Sequence, residues 1–435
     1  MPIPFAAAGL FNGISAIPFG WTAVKAVIWI AVLVLLKRYF NGASNTSERV
    51  MHSKVVMITG GTSGIGAEVA RGLATRGAQI VLLTQQPLSD PFLVDFIMDM
   101  RSQTNNELIT AESVDLSSLH SIRLFATKWV DNAPPRRIDT IILCADTRTP
   151  PGGKASITED GLESSWGLNY LANFHLLSIL SPALRAQPPD RDVRIVFGTC
   201  SSYMGGTLPD LGLSEESTEK GANSKSKSKS KQQAAAAPKQ TPFTPSSAYA
   251  TSKLAVMTFA STFQKHLAAY ARPDKKPMNS RVIMVDPGWT RTPGMRRYLT
   301  FGSLWGLALY LVMWPFWWLV LKGPEHGAQT FLYAAMDEHY GRGEGGRFLK
   351  ECREVKFVKP EIENEEVQKK LWELSENTIQ ALEKEAALRR AKEKKEKELK
   401  TDAEKMGGSK TDASAATSGS DGKKAGSRRT KKAGS

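Results

Sequence analysis

The chain has 435 residues, 41% of them aliphatic, aromatic or cysteine, which is enough for a large packed core and excludes a wholly disordered protein. Its formal charge of +14 sits in two segments, 220–240 and 389–435, leaving the rest near neutral, so a basic nucleic-acid-binding face is not expected. Cys144, Cys200 and Cys352 are odd in number and far apart, and none of the six histidines has metal-ligand spacing, so neither a disulfide framework nor a metal site is expected.

In chain order, residues 3–36 are nearly all apolar, broken by Pro18-Phe19-Gly20, and run into Lys37 and Arg38. With no small-residue cleavage site, residues 1–40 read as an uncleaved membrane anchor or a hairpin dipping into one leaflet. The basic residues that follow place the next domain in the cytosol. From 54 the pattern becomes strand, glycine turn, helix, strand. "KVVMITGG" is an apolar strand, Ile65, Val69 and Leu73 mark a helix ending near Gly77, and "AQIVLLT" is the next strand. Further strands are expected at 108–115, 139–145, 194–200, 281–288 and within 346–352. Alternating apolar strands and helices imply an α/β fold, a doubly wound, Rossmann-type parallel sheet forming a single domain over 54–357. Residues 207–245, rich in alternating Lys and Ser, are expected to be a disordered insertion. Residues 361–400 read as a charged helix, and 401–435 as a disordered basic tail.

Two motifs carry chemistry. "TGGTSGIG" (59–66) lies between a strand and a helix, where Gly60, Gly64 and Gly66 permit a sharp turn and close approach to a pyrophosphate. The helix N-terminus then supplies free N–H groups and a favourable dipole. "SSAYATSK" (246–253) puts Tyr249 and Lys253 one helical turn apart. An ammonium near a phenol is expected to lower its pKa from about 10 and prepare it for proton transfer.

Together with four further motifs, these make the chain resemble the short-chain dehydrogenases/reductases, most closely the retinol-dehydrogenase-like members and, among them, fungal membrane- and lipid-droplet-associated oxidoreductases. "VDLSSL" (114–119) matches the family's aspartate motif, "TEDGLESSWGLNYLANF" (158–174) its asparagine helix, and "DPGWTRT" (286–292) its PGxxxT. "KGPEHGAQTFLYAAM" (322–336) matches the segment that retinol-type members carry before their last strand. The resemblance implies Tyr249 as general acid/base, Lys253 holding the cofactor ribose, Asn169 anchoring a water, and Ser202 or Ser201 at the substrate carbonyl. It also implies a dinucleotide site drawn from Thr59, Gly60, Ser63, Gly64, Ile65, Gly66, Asp115, Asn169, Tyr249, Lys253, Pro287, Thr290 and Thr292. The serine assignment stays open, because an ungapped match puts the family's Ser-Ser pair on Thr199 and Cys200.

The chain departs from the family in two places. Where members have NNAG, it has Leu143-Cys144-Ala145-Asp146, which puts an acid near the pocket. At the end of the second strand it has "LLTQQP", without the acid that would hold the ribose 2′-hydroxyl of NAD. That absence favours NADP(H), with NAD(H) as the alternative.

Residues 301–321, "FGSLWGLALYLVMWPFWWLVL", are uncharged and contain four of the ten tryptophans. A single crossing here would put the strand before it and the strand after it on opposite sides of a bilayer, which one sheet forbids. The segment is therefore expected to be a hydrophobic lid, broken at Pro315 and seated in the lipid interface, with a lid packed on the protein itself as the alternative. The resulting reading is a membrane-associated oxidoreductase that interconverts carbonyl and alcohol groups on a lipophilic aldehyde, retinoid, sterol or acyl-derived ketone. It would act at the endoplasmic reticulum or lipid-droplet surface, or at the vacuolar membrane, and a homodimer is compatible with it. The alternative is a weakly active or inactive scaffold that organises droplets or membranes.

Overall fold

The computed structural model describes residues 20–132, 136–209 and 243–414. Helix α1 (Gly20–Asn41) leads into a parallel sheet built by β1 (Val55–Thr59), α2 (Gly64–Ala74), β2 (Gln79–Thr84), α3 (Pro91–Thr104), β3 (Ile109–Ser113), α4 (Leu119–Val130) and β4 (Thr140–Leu143). A π-helical turn, Ser165–Leu171, opens α5 (Ala172–Arg185). Then come β5 (Val193–Gly198), α6 (Pro245–Ala268), β6 (Ser280–Asp286), α7 (Pro293–Leu299), α8 (Leu304–Val312), α9 (Trp314–Val320), α10 (Pro324–Met336), β7 (Arg347–Lys350), β8 (Arg353–Glu354) and α11 (Glu365–Ser414). The strand order is 3-2-1-4-5-6-7-8, parallel throughout except for the short antiparallel β8. β1, β4 and most of β5 and β6 are buried, which is why they read as unbroken apolar runs.

The chain order reverses between β1 and β4, and there the C-terminal strand ends open a crevice. α2 and α10 cover one face, burying Val69, Leu73, Phe331 and Leu332 against the sheet. On the other face α6 brings Phe259 against Tyr170, Phe174, Phe197 and Trp372. This aromatic layer fixes α6, the helix that carries Tyr249 and Lys253.

Buried charge pins the opposite end of the sheet. Arg194 on β5 is 1% exposed, donates to Asp192 and to the Ala334 carbonyl, and leaves its planar guanidinium fully engaged. Burial pushes the Asp192 carboxyl up, but Arg194 and Arg49 outweigh it and hold its pKa below the usual range.

Three expectations change. No helix among the described residues is long and apolar enough to cross a membrane. In α1 the uncharged run between Lys25 and Lys37 spans 26–36, about 17 Å at 1.5 Å per residue, roughly half of a hydrocarbon core. Residues 1–19, the rest of the expected anchor or hairpin, lie outside the described residues. The 301–321 segment forms two short helices, α8 and α9, interrupted at Met313 with Pro315 in the first turn of α9. Leu304, Trp305, Leu309, Leu311 and Val312 are all more than 60% exposed, so α8 is not a lid folded over its own protein. Lys37 joins α1 to this segment by donating to the Trp318 and Leu321 carbonyls at 2.6 and 3.0 Å.

The charged helix also runs further than expected, to Ser414 rather than 400, through a stretch whose Gly407 and Gly408 do not themselves favour helix. The described residues up to Ile379 belong to one compact unit, and those from Gln380 onward form a second. Residues 210–242 of the expected insertion and 415–435 of the expected tail are outside the described residues.

Candidate active site

The crevice holds a cavity of about 600 Å³, lined by the glycine turn, the ends of β2, β4, β5 and β6, and α7. Gly60 has φ +65° and sits against Ala145; a Cβ there would meet backbone at 2.8 Å. A Cβ on Gly66 would lie 2.2 Å from the Gly60 carbonyl oxygen. The turn is thus closed by backbone contact, and only glycine fits at its two ends. Ser63 caps α2 in extended conformation without a side-chain hydrogen bond, so the first-turn amides beside Gly64, Ile65 and Gly66 are open to an anion. These residues fit a dinucleotide pyrophosphate.

Thr59, expected to bind cofactor, instead lies behind the turn. Its Oγ1 accepts from the Ala145 amide at 3.2 Å and staples β1 to β4. Asp115 lines the cavity, with Oδ1 taken by Ser117 and Oδ2 by Gln85 at 3.2 Å. Pro287, Thr290 and Thr292 also line it, and Thr292 additionally caps α7 through the Met295 amide.

Four segments supply the acid–base cluster. Tyr249 and Lys253 project from α6, both less than 7% exposed. Tyr249 Oη donates to Asp146 Oδ2 at 2.6 Å. Lys253 Nζ lies 3.0 Å from Asp146 Oδ1 and donates to the Gly198 carbonyl at 3.2 Å. From the turn after β5, Cys200 Sγ approaches Tyr249 Oη at 3.5 Å. The Arg148 guanidinium stacks between the rings of Tyr249 and Tyr298, 4.7 and 3.5 Å from their centroids.

Asn169 holds this arrangement from behind. Its Oδ1 accepts from the Thr147 amide at 2.8 Å, and its Nδ2 donates to the Thr147 carbonyl and to Ser252. Both candidate serines line the cavity, and the Ser201 hydroxyl is engaged there by donating to Asp286 and accepting from Lys350. The side chain that this turn sets against the phenol is Cys200, one of the pair, Thr199 and Cys200, that an ungapped match selects.

The electrostatics reverse one expectation. Lys253 was expected to acidify Tyr249. Instead burial, the Asp146 carboxylate and Cys200 hold the phenol well above its usual pKa. Burial draws the Lys253 ammonium down, but Asp146 and Cys200 more than offset this and leave it above its usual value. Burial pushes the Cys144 thiol up to about 12, so it stays neutral. Sequence reasoning did not foresee the roles of Arg148 and Asp146. The acid in place of the family's glycine was the one local signal for Asp146, and Arg148 left none.

Residues 54–205 match the short chain dehydrogenase family model. An oxidoreductase of Schizosaccharomyces pombe is 41% identical over 373 residues, covering 85% of this chain and 93% of that protein. The chain is a short-chain dehydrogenase/reductase. Human retinol dehydrogenase 13 is 28% identical, covering 78% of this chain and 88% of its own, and human polyprenol dehydrogenase is 27% identical, covering 81% and 92%. Among solved structures, a Mycobacterium paratuberculosis protein superimposes with a TM-score of 0.50 at 20% identity, covering 78% of this chain and 98% of its own, which places the fold alone.

Proposed function

We propose that this enzyme interconverts carbonyl and alcohol groups on a lipophilic substrate with NADP(H) while associated with a lipid surface. The observation that carries the reading is the placement of Tyr249 and Lys253, buried on one face of α6, in the same cavity as the glycine turn. A bound nicotinamide dinucleotide supplies or accepts the hydride. The turn from Gly60 to Gly66 would hold its pyrophosphate, Asp115 its adenine side, Lys253 its ribose, and Pro287, Thr290 and Thr292 the nicotinamide end. Gln85 and Gln86, which line the cavity beyond β2, carry no charge to repel a 2′-phosphate. That favours NADP(H) over NAD(H).

Tyr249 gives its proton to the substrate oxygen during reduction and takes one during oxidation. Asn169 fixes the loop that faces the phenol, and Trp289, Met295 and Tyr298 give the cavity an apolar side. Two relatives bear the names of dehydrogenases for retinol and polyprenol, both long apolar alcohols. The exposed apolar side chains of α1, α8 and α9 suit a lipid surface, with Lys37 and Trp318 at its edge.

The deciding experiment measures NADPH consumption by detergent-solubilised protein against a panel of lipophilic aldehydes and ketones. Tyr249→Phe is expected to lower turnover by about 10²–10⁴-fold with NADPH binding retained. Turnover unchanged in that variant overturns the reading. For the surface, Trp305→Glu combined with Leu309→Glu is expected to lower co-flotation with phosphatidylcholine vesicles several-fold. Equal flotation removes the lipid-surface part. The scaffold alternative draws on the same outward apolar face, and it gains if Tyr249→Phe with Lys253→Ala still restores a null strain.

A further inference from the structure

Asp146 stands where both catalytic side chains are already committed to it. It follows Ala145, whose amide is fixed by Thr59, and precedes Thr147, whose amide and carbonyl are both fixed by Asn169. The backbone is thus held on each side of it, and the carboxylate is aimed between Tyr249 and Lys253 rather than resting there as a mobile surface acid. An ionised carboxylate only accepts hydrogen bonds. The hydrogen between Tyr249 Oη and Asp146 Oδ2, 2.6 Å apart, therefore belongs to the phenol. Removing it would leave two anionic oxygens in contact, the arrangement that like-charge repulsion opposes most strongly.

We propose that Asp146 is a third acid–base residue of this site, holding Tyr249 protonated across the neutral and mildly alkaline range until the phenol turns its one hydrogen from the carboxylate to a substrate carbonyl oxygen. The proposal deepens the carbonyl–alcohol reading above and rests on it.

Every charged or titratable group facing the phenol bears on this balance. Lys253, one turn along the same helix, would favour phenolate, but its ammonium is paired with Asp146 Oδ1 at 3.0 Å. Arg148, from the loop after β4, lies over the ring face and is shared with Tyr298 of α7. Cys200, from the turn after β5, offers only a weak thiol contact at 3.5 Å, and Cys144, at the end of β4, stays neutral. The carboxylate is the group that bonds the phenol hydrogen directly at short distance, so it sets the sign. Asp146 is also about one-third exposed, which lets water return a proton to the pair after each transfer.

The consequence is a pH profile. With the phenol held protonated, kcat/KM for reduction stays level through neutral and mildly alkaline pH, and that for alcohol oxidation climbs over the same range. Without Asp146, oxidation levels off at least one pH unit lower, and reduction begins to fall at that same pH. The equilibrium constant still fixes the ratio of the two directions at each pH, so the shift has to appear in both.

A substrate-free readout tests the residue itself. The full chain is labelled with tyrosine carrying ¹³C at Cζ, the Tyr249 resonance is assigned by its loss in Tyr249→Phe, and the signal is titrated in the parent, Asp146→Asn and Asp146→Gly. Ionisation is expected to begin at least one pH unit lower in both Asp146 variants, a tenfold rise in phenolate at a given pH. If Tyr249 stays protonated over the same range in both folded variants, Asp146 does not hold the proton and the proposal falls. Should the resonance shift as expected while the parent reduces no member of the carbonyl panel, the reductase reading fails and the acid–base assignment stands.

Discussion

The glycine turn and the acid–base cluster lie in one cavity but are built in opposite ways. The turn is made by backbone: Gly60, Gly64 and Gly66 are consecutive enough that a short string of residues dictates its shape. The cluster is made by side chains from the loop after β4, the turn after β5, α6 and α7, converging from residues 146, 200, 249 and 298. The turn can fail only if its conformation fails. The cluster can lose its chemistry while every surrounding element stays in place.

Substitutions can break or sharpen that contrast. The largest effect is expected at Gly66→Val, whose side chain collides with the Gly60 carbonyl: NADPH binding should weaken more than 100-fold by calorimetric titration. Stability should fall by about 2–3 kcal/mol in denaturant unfolding. Asn169→Ala releases Thr147 and with it the loop bearing Asp146. Turnover is expected to drop about 10–100-fold, less than the roughly 10²–10⁴-fold of losing an acid–base group outright, while NADPH affinity changes only a few-fold. An equal loss of both would mean that the two regions are not separable. Thr59→Val removes the acceptor for the Ala145 amide, the staple joining the two regions, at a cost of about 1 kcal/mol in chemical denaturation. Thr292→Val removes the α7 cap and should cost a similar or smaller amount, about 0.5–1 kcal/mol in denaturant unfolding, and it should weaken NADPH binding a few-fold if the hydroxyl also serves the nicotinamide end. Unchanged NADPH affinity would leave Thr292 with its helix cap alone.

The same contrast explains what the sequence made legible. β1, β2 and β4–β6 announced themselves because both of their faces are largely covered, and uninterrupted Val, Ile, Leu and Met is the local consequence. β7 carries no such run, since exposed Arg347 and half-buried Lys350 flank Phe348 and Leu349, and its place came from the family resemblance. The pairing of Tyr249 with Lys253 could be read from helical spacing alone. By contrast, the capture of both by Asp146 depends on contacts across about one hundred residues, and no spacing rule carries that. The ammonium was expected to acidify the phenol because only the i, i+4 neighbour was visible. The opposing carboxylate arrives from the loop after β4 and reverses the sign. Likewise, Ser201 and Ser202 looked like carbonyl-binding candidates by residue type, yet the turn after β5 presents Cys200 to the phenol and sends Ser201 to Asp286. The apolar count of α1 suggested a crossing, but Lys25 divides the run and leaves it too short.

β8 carries a consequence for assembly. After β7 the chain reverses through Glu351 and Cys352, both at positive φ, and adds only Arg353 and Glu354 as a final antiparallel rung. That rung offers a neighbouring molecule two exposed, charged residues and little ladder to extend. Growth of the sheet from one copy into the next is therefore blocked at this border. Any pairing of two copies on this side has to be made through helical faces, and filaments propagated by strand addition have no foothold here.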